Sequence, residues 1–212
     1  MVAKEFEIED LSPVLCINAH PDDESFGFGG IISKLARIKR PIYIVSLTHG
    51  EAGHSSIPLI GDLATIRKTE LILAASKLGL TPEKIIVESL PDGKLADHRE
   101  VVESVIVDLV KKHQPGLILT MHPNSTSHSD HIVVAEVILA LKNLGQLKNT
   151  RIMLQYLPNK FTPSQNDVVI RTSIKDFLEQ KILAIKEHKT QGKDAERIIP
   201  KLLQEEFFLL IR

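Results

Sequence analysis

His20, Asp22 and Asp23 share one hexapeptide, Ala19-His20-Pro21-Asp22-Asp23-Glu24, directly after the apolar run Val14 to Ile17. Neutral imidazole with carboxylate is a borderline-hard ligand set that suits zinc. His20 and Asp23 are close enough in sequence to share one ion, and the turn leaves Asp22 free beside them. A second cluster, His128-Ser129-Asp130-His131, closes the polar segment that begins at His122. A catalytic zinc site typically has three protein ligands and an open water position. His20, Asp23 and His131 are the expected ligands. Asp22 is then the general base that takes a proton from the zinc-bound water, whose pKa the metal lowers toward neutrality. His128 is the acid that polarises a carbonyl oxygen and supports the tetrahedral oxyanion. Asp130 either orients a histidine through its far nitrogen or is a plain helix N-cap, and the two roles are compatible. The chemistry that fits is metal-assisted hydrolysis of an amide or ester.

Each residue also has a purely structural explanation. Asp22, Asp23 and Glu24 suit the positive end of a helix dipole. His49, His54 and His122 read as exposed loop residues or hydrogen-bonded spacers, and His98, His113 and His188 as surface positions on helices. Arg67 and Glu70, one helical turn apart, read as a surface ion pair. Two histidine- and aspartate-rich loops at corresponding places in the chain are harder to assign to capping than either is alone.

Apolar runs of strand length alternate about five times with longer segments of helical period, which implies β-α units and a mainly parallel sheet. The expected strands are Val14–Asn18, Ile42–Thr48, Lys84–Glu88, Gly116–Met121, Ile152–Leu157 and Val168–Thr172. Between them lie helical faces such as Phe28, Ile31, Ile32 and Leu35, or Val134, Val137, Ile138 and Leu141. Asp62 caps one helix, Asp97 with Glu100 forms a capping box for the next, and Ser173 with Asp176 opens a later one. Pro200 breaks any helix near the end, and Phe207 to Ile211 reads as an edge strand or part of a subunit contact. The expected fold is α/β: residues 1–212 as a single Rossmann-like three-layer sandwich with a mostly parallel sheet, its pattern weakest beyond about residue 160. In such a sheet the loops after the strands gather along one edge, where ligands bind.

Composition narrows the function. With 212 residues, 43% of them apolar and 25% charged, the chain suits one globular domain. A net charge of −1 provides no overall field to hold nucleic acid or an anionic membrane, so neither is an expected partner. The single cysteine, Cys16, falls in the first apolar run and reads as a core residue, in keeping with a reducing cytosol. The N-terminus is too acidic for a signal peptide, and no run approaches the roughly eighteen apolar residues of a membrane span. A soluble cytoplasmic protein is expected.

These residues resemble the LmbE-like, or PIG-L, family of zinc-dependent N-acetylglucosaminyl deacetylases. The match takes in Ala19-His20-Pro21-Asp22-Asp23-Glu24, the Gly27 to Gly30 glycine cluster, Thr48 to Gly53, Arg67-x-x-Glu70, Leu90-Pro91-Asp92-Gly93 and His128-x-Asp130-His131. Later, His188-Lys189-Thr190-Gln191 is similar to the family's His-x-Ser/Thr-Gln segment. Ser129 stands where the family usually has proline, which loosens the loop and keeps every chemical group. The resemblance implies zinc, or another divalent metal, on His20, Asp23 and His131, with Asp22 as base and His128 as acid. It also implies that Arg67 and Asp92 line a sugar pocket. The implied substrate is a small amidosugar containing N-acetylglucosamine; the alternative within the same chemistry is an amidase of thiol conjugates or larger N-acyl groups. Oligomers are common in the family, so a homo-oligomer belongs with these implications. A Rossmann-like nucleotide-binding module is the competing non-enzymatic reading. The sequence argues against it, because Gly27, Gly29 and Gly30 lack the G-x-G-x-x-G spacing and three carboxylates precede them.

Overall fold

The computed structural model describes residues 4–6 and 12–211; the N-terminal stretch considered above lies partly outside them. One eight-stranded sheet runs through the chain: β1 (Lys4–Glu5), β2 (Val14–Asn18), β3 (Ile42–Ser46), β4 (Ile85–Val87), β5 (Leu117–Met121), β6 (Arg151–Tyr156), β7 (Val169–Ser173) and β8 (Glu205–Ile211). Across the sheet the order is β1-β7-β8-β6-β5-β2-β3-β4. Every pairing is parallel except those of β8, which runs antiparallel to both β6 and β7. The described residues form six α-helices: α1 (Asp23–Arg37), α2 (Leu63–Lys77), α3 (Arg99–His113), α4 (Ser129–Asn143), α5 (Leu178–Glu187) and α6 (Gly192–Ile198).

The period of two along the strands divides the core into two layers. From β2, Leu15 and Ile17 face α3 and α4, joining Ile106, Val134 and Ile138. Val14 and Cys16 point the other way, joining Phe28 and Ile31 of α1 and Leu71 of α2. Cys16 is a free, fully buried thiol, as its apolar setting implied. The three-layer α/β expectation therefore holds, and it explains why β2 is apolar from Val14 to Ile17 and β5 from Leu117 to Leu119: both of their faces are covered.

Local details depart from the sequence reading. Strand ends shift by one or two residues, although Leu47 and Thr48 still donate to the Asn18 and Ala19 carbonyls beyond the formal end of β3. Asp62 does cap α2, accepting from the Thr65 amide. Asp97 and Glu100 form no capping box; a 3-10 turn, Leu95–His98, leads into α3, because Leu95 is buried and its amide is drawn toward Asp130. Ser173 stays in β7, and α5 begins only after Phe177, which packs into the core. Phe207 to Ile211 is not an edge: β8 fills an inner position, with Phe208 fully buried and its ring 6.3 Å from that of Phe28.

One contact fixes α1 on this sheet. Glu206 of β8 accepts from the Gly30 and Ile31 amides, each at 2.9 Å, and from Lys181 Nζ of α5 at 2.6 Å. Lys181 and Glu206 are both buried, so each needs the other. The backbone of α1 can come this close only without side chains: a Cβ on Gly30 would collide with the Ile174 side chain, and one on Gly29 would lie 2.9 Å from Lys181 Cγ. Gly30→Ala is accordingly expected to lower unfolding free energy by about 1–3 kcal/mol through overpacking. Urea unfolding checks this, and an unchanged midpoint would show that the helix is not held so tightly.

Candidate active site

Adjacent parallel strands bring the two polar clusters together. β2 pairs with β5, Val14 opposite Leu117, so the segments after Asn18 and Met121 emerge side by side. β2 is also where the strand order reverses, with β3 on one side and β5 on the other, the position at which open α/β sheets bind ligands. His20 leaves the end of β2, Asp23 opens α1, and α4 carries Asp130 and His131 in its first turn.

The donor atoms converge. His20 Nδ1 lies 3.0 Å from His131 Nε2 and 3.8 Å from Asp23 Oδ2, while Asp23 Oδ1 is 3.2 Å from His131 Nε2. The His20 amide donates to Asp23 Oδ2 at 2.9 Å, folding that carboxylate back over the turn. On the opposite edge of the His20 ring, Nε2 donates toward Asp92 Oδ1 at 3.0 Å and Asp130 Oδ2 at 3.3 Å. Those carboxylates keep a proton on Nε2, which turns the Nδ1 lone pair of a neutral ring toward His131. Thr126 Oγ1 lies 3.3 Å from His131 Nδ1 and accepts from it in the tautomer whose Nε2 lone pair faces His20. Two lone pairs at 3.0 Å beside a carboxylate repel each other unless a cation lies between them.

This set fits a metal. Bonds of about 2.0–2.2 Å in tetrahedral geometry place donors roughly 3.4 Å apart, close to the His20–His131 and His131–Asp23 separations, while the Asp23 oxygen nearest His20 is its other one. Two imidazoles and one carboxylate also form a donor set that zinc accepts, and the carboxylates on the far nitrogen are the outer partners that such a histidine requires. Two groupings among the described residues bring three single ligand atoms within 4.8 Å of one another, His20 with His128 and His131, and His20 with Asp92 and Asp130, and Asp23 stands beside the first of them. In the latter, both Asp130 oxygens already accept backbone amides, from Gly93 at 2.8 Å and Leu95 at 3.2 Å. Asp130 is thus better fitted to orient His20 than to join a metal.

Charge in the site follows from this crowding. Burial works against a charged His20, yet the hydrogen bonds to Asp130 and Asp92 outweigh it and lift the ring to about 10, so that without a metal a proton takes the cation's place. Burial likewise acts to raise Asp23, but His131 and then His20 hold its carboxyl well below the usual range. Asp22 goes the other way: burial pushes it up to about 7, against the opposing Arg67 guanidinium. Asp22 is also strained, with φ 111° and ψ −33°, outside the left-handed basin and worth on the order of 1–3 kcal/mol. His128 is exposed; burial of part of its ring and the neighbouring His20 and His131 keep it below its ordinary value and hence neutral. Its ring is 4.6 Å from His20 and 4.9 Å from His131, centroid to centroid.

Asp130 is not the N-cap of α4. His128 is, its Nδ1 accepting from the Asp130 amide at 3.3 Å, which leaves Nε2–H as the donor of a neutral ring. Arg67 and Glu70 are not a surface pair, since both are buried and point to different partners. Arg67 donates to the Gly50 carbonyl at 2.8 Å, to Asp22 Oδ2 at 3.0 Å and to the Pro21 carbonyl. Gly50, at φ 70°, leaves room for that guanidinium, which a Cβ would overlap. Glu70 accepts from Thr190, through the amide at 2.9 Å and Oγ1 at 2.6 Å. His188 is not on the surface either; it is buried against Glu24 and Ser25. His122 is a hydrogen-bonded spacer, as read, accepting from the Asn124 amide.

A family model described as PIG-L, GlcNAc-PI de-N-acetylase, matches residues 15–142, more than half of the chain. The chain belongs to the PIG-L family. This PIG-L chain is 29% identical over 189 residues to the probable N-acetyl-alpha-D-glucosaminyl L-malate deacetylase 2 of Bacillus subtilis, covering 84% of this chain and 82% of that one. It is also 29% identical over 195 residues to the diacetylchitobiose deacetylase of Thermococcus kodakarensis, covering 86% and 71%. Among solved structures, the N,N'-diacetylchitobiose deacetylase of Pyrococcus horikoshii, complexed with its inhibitor MPG, superimposes with a TM-score of 0.77 at 26% identity, covering 94% and 84%.

For the donor set, Asp130→Asn is expected to weaken divalent-metal retention by about 10–100-fold, because the outer partner of a ligating histidine is lost. Equilibrium dialysis against zinc, followed by metal analysis, measures it; unaltered affinity would mean that Asp130 does not orient His20.

Proposed function

We propose that this chain is a metal-dependent hydrolase that removes the N-acetyl group from a small N-acetylglucosamine-containing substrate. The observation that carries this reading is the convergence of His20, Asp23 and His131 beside the strained Asp22 and the neutral His128, in a family whose relatives are named as deacetylases. Residues 1–212 are read as one domain of this family, since β8 from the C-terminal segment is an inner strand of the sheet. No described helix is long and apolar enough to cross a membrane, in keeping with a small polar substrate. The single buried thiol, Cys16, fits a reducing cytoplasm.

His20, Asp23 and His131 would hold the metal, with zinc the ion their donor chemistry favours. A bound divalent metal supplies Lewis acidity there, polarising the acyl carbonyl and lowering the pKa of water. Asp22 takes a proton from the attacking water as its oxygen bonds to the acyl carbon. His128, with its proton on Nε2, donates a hydrogen bond to the oxyanion that develops. The proton held on Asp22 then passes to the leaving nitrogen, the C–N bond breaks, and acetate and the free amine depart. Arg67 and Asp92 border this site and are assigned to substrate binding, Asp92 from beside His20 and Arg67 from beside Asp22.

Amine release from a panel of GlcNAc conjugates, with stripped and zinc-reloaded protein, tests the reading. Release only after reloading is expected; release only from bulkier N-acyl or thiol-conjugate amides would replace the acetyl assignment. Asp22→Asn is expected to keep one equivalent of metal and lose about 10²–10⁴-fold in kcat. Full turnover in that variant would remove Asp22 as the base.

A further inference from the structure

Three non-glycine residues among those described have positive φ, and Asp22 differs from the other two. Lys39 and Gln114, at 60° and 45°, follow helix ends and lie near the left-handed basin; Asp22, at 111°, does not. A conformation of this kind persists only where its surroundings over-determine it. Four groups do so here. The Asp22 carbonyl accepts the Ser25 and Phe26 amides at 3.0 Å, its carboxylate accepts Arg67, and its amide donates to Glu24 Oε2 at 2.9 Å.

Glu24 is therefore more than an acidic residue near a helix dipole. A first-turn acid of that sort is exposed and needs no cation. Glu24 is 1% exposed, one of its oxygens is turned back onto the Asp22 amide, and the other accepts Ser25 Oγ at 2.6 Å and His188 Nε2 at 2.8 Å. His188 is equally buried, and its Nδ1 has no partner among the described residues, so Glu24 and Ser25 alone orient the ring. Burial opposes a charge on that imidazole, and the Glu24 carboxylate more than compensates, keeping it protonated to higher pH than usual. From His188 the chain turns through Lys189–Gln191, where Thr190 is tied to Glu70 of α2, the same helix that carries Arg67. Asp22 is thus gripped from two directions by one buried polar network, whose C-terminal half lies outside the residues matched by the family model.

We propose that Glu24, held in place by His188, is a positioning residue that fixes the strained main chain of Asp22 and so aims its carboxylate at the reacting water. This rests on the reading of Asp22 as the base. Because the effect passes through one carboxylate, it predicts a particular non-additivity.

The test is a double-mutant cycle on the full, zinc-loaded chain, with Glu24→Gln, Asp22→Asn and their combination, reading kcat, KM and bound metal. Glu24→Gln is expected to lower kcat by about a hundredfold, the cost of a small misplacement of a reacting group, with KM within about twofold and one equivalent of metal retained. In the Asp22→Asn background the same substitution is expected to change kcat by less than about twofold. His188→Asn provides the same cycle if Glu24→Gln does not accumulate as folded protein. Full kcat in Glu24→Gln, or an equal loss with and without the Asp22 carboxylate, would overturn the positioning role while leaving the base reading intact. Full kcat in Asp22→Asn alone would overturn the base reading, and the positioning role with it.

Discussion

The imidazole of His20 is the part on which the rest of the site depends. One ring nitrogen faces His131 and Asp23, and the other faces Asp92 and Asp130. A ring so placed can present a lone pair to a metal only if its far nitrogen keeps a proton, and two carboxylates ensure that. Asp130 can serve only because it is itself held by the Gly93 and Leu95 amides, which accounts for the inward turn of the 90–98 segment and for the loss of the expected capping box at α3. The pairing of β2 with β5 and the start of α4 complete the requirement, since they carry the two clusters to the same edge.

Behind that ring lies a region dense in buried charge. Asp22, Asp23 and Glu24 are offset by Arg67, His188 and the two site histidines, each through a short polar contact, and Glu70 is held by the Thr190 amide and hydroxyl. Unpaired, any one of these groups would be strongly destabilising. The arrangement therefore trades an apolar interior at the strand ends for a fixed geometry, while stability comes from the two apolar layers around β2 and β5.

Much of this was legible in the sequence. Apolar runs alternating with helical faces indicate the α/β sandwich, and the two histidine- and aspartate-rich loops name side chains that the fold brings together. Other features were not legible, for identifiable reasons. The antiparallel insertion of β8 depends on which strand edge is free, and Phe207 to Ile211 reads the same at an edge or inside. Helix spacing suggests an Arg67–Glu70 pair, but both residues turn inward to loops distant in the chain, Gly50 and Thr190. Likewise His188 looks like a surface residue until α5 packs against α1 and buries it on Glu24. Period and spacing describe one element at a time, and these contacts arise between elements.

A crystal structure of the zinc-loaded chain, with anomalous data across the zinc absorption edge, would show which edge of the His20 ring holds the metal. A peak is expected about 2.0–2.2 Å from His20 Nδ1, His131 Nε2 and an Asp23 oxygen, with Asp92 and Asp130 on the far side of the His20 ring. A peak bonded instead to His20 Nε2, between Asp92 and Asp130, would contradict that placement.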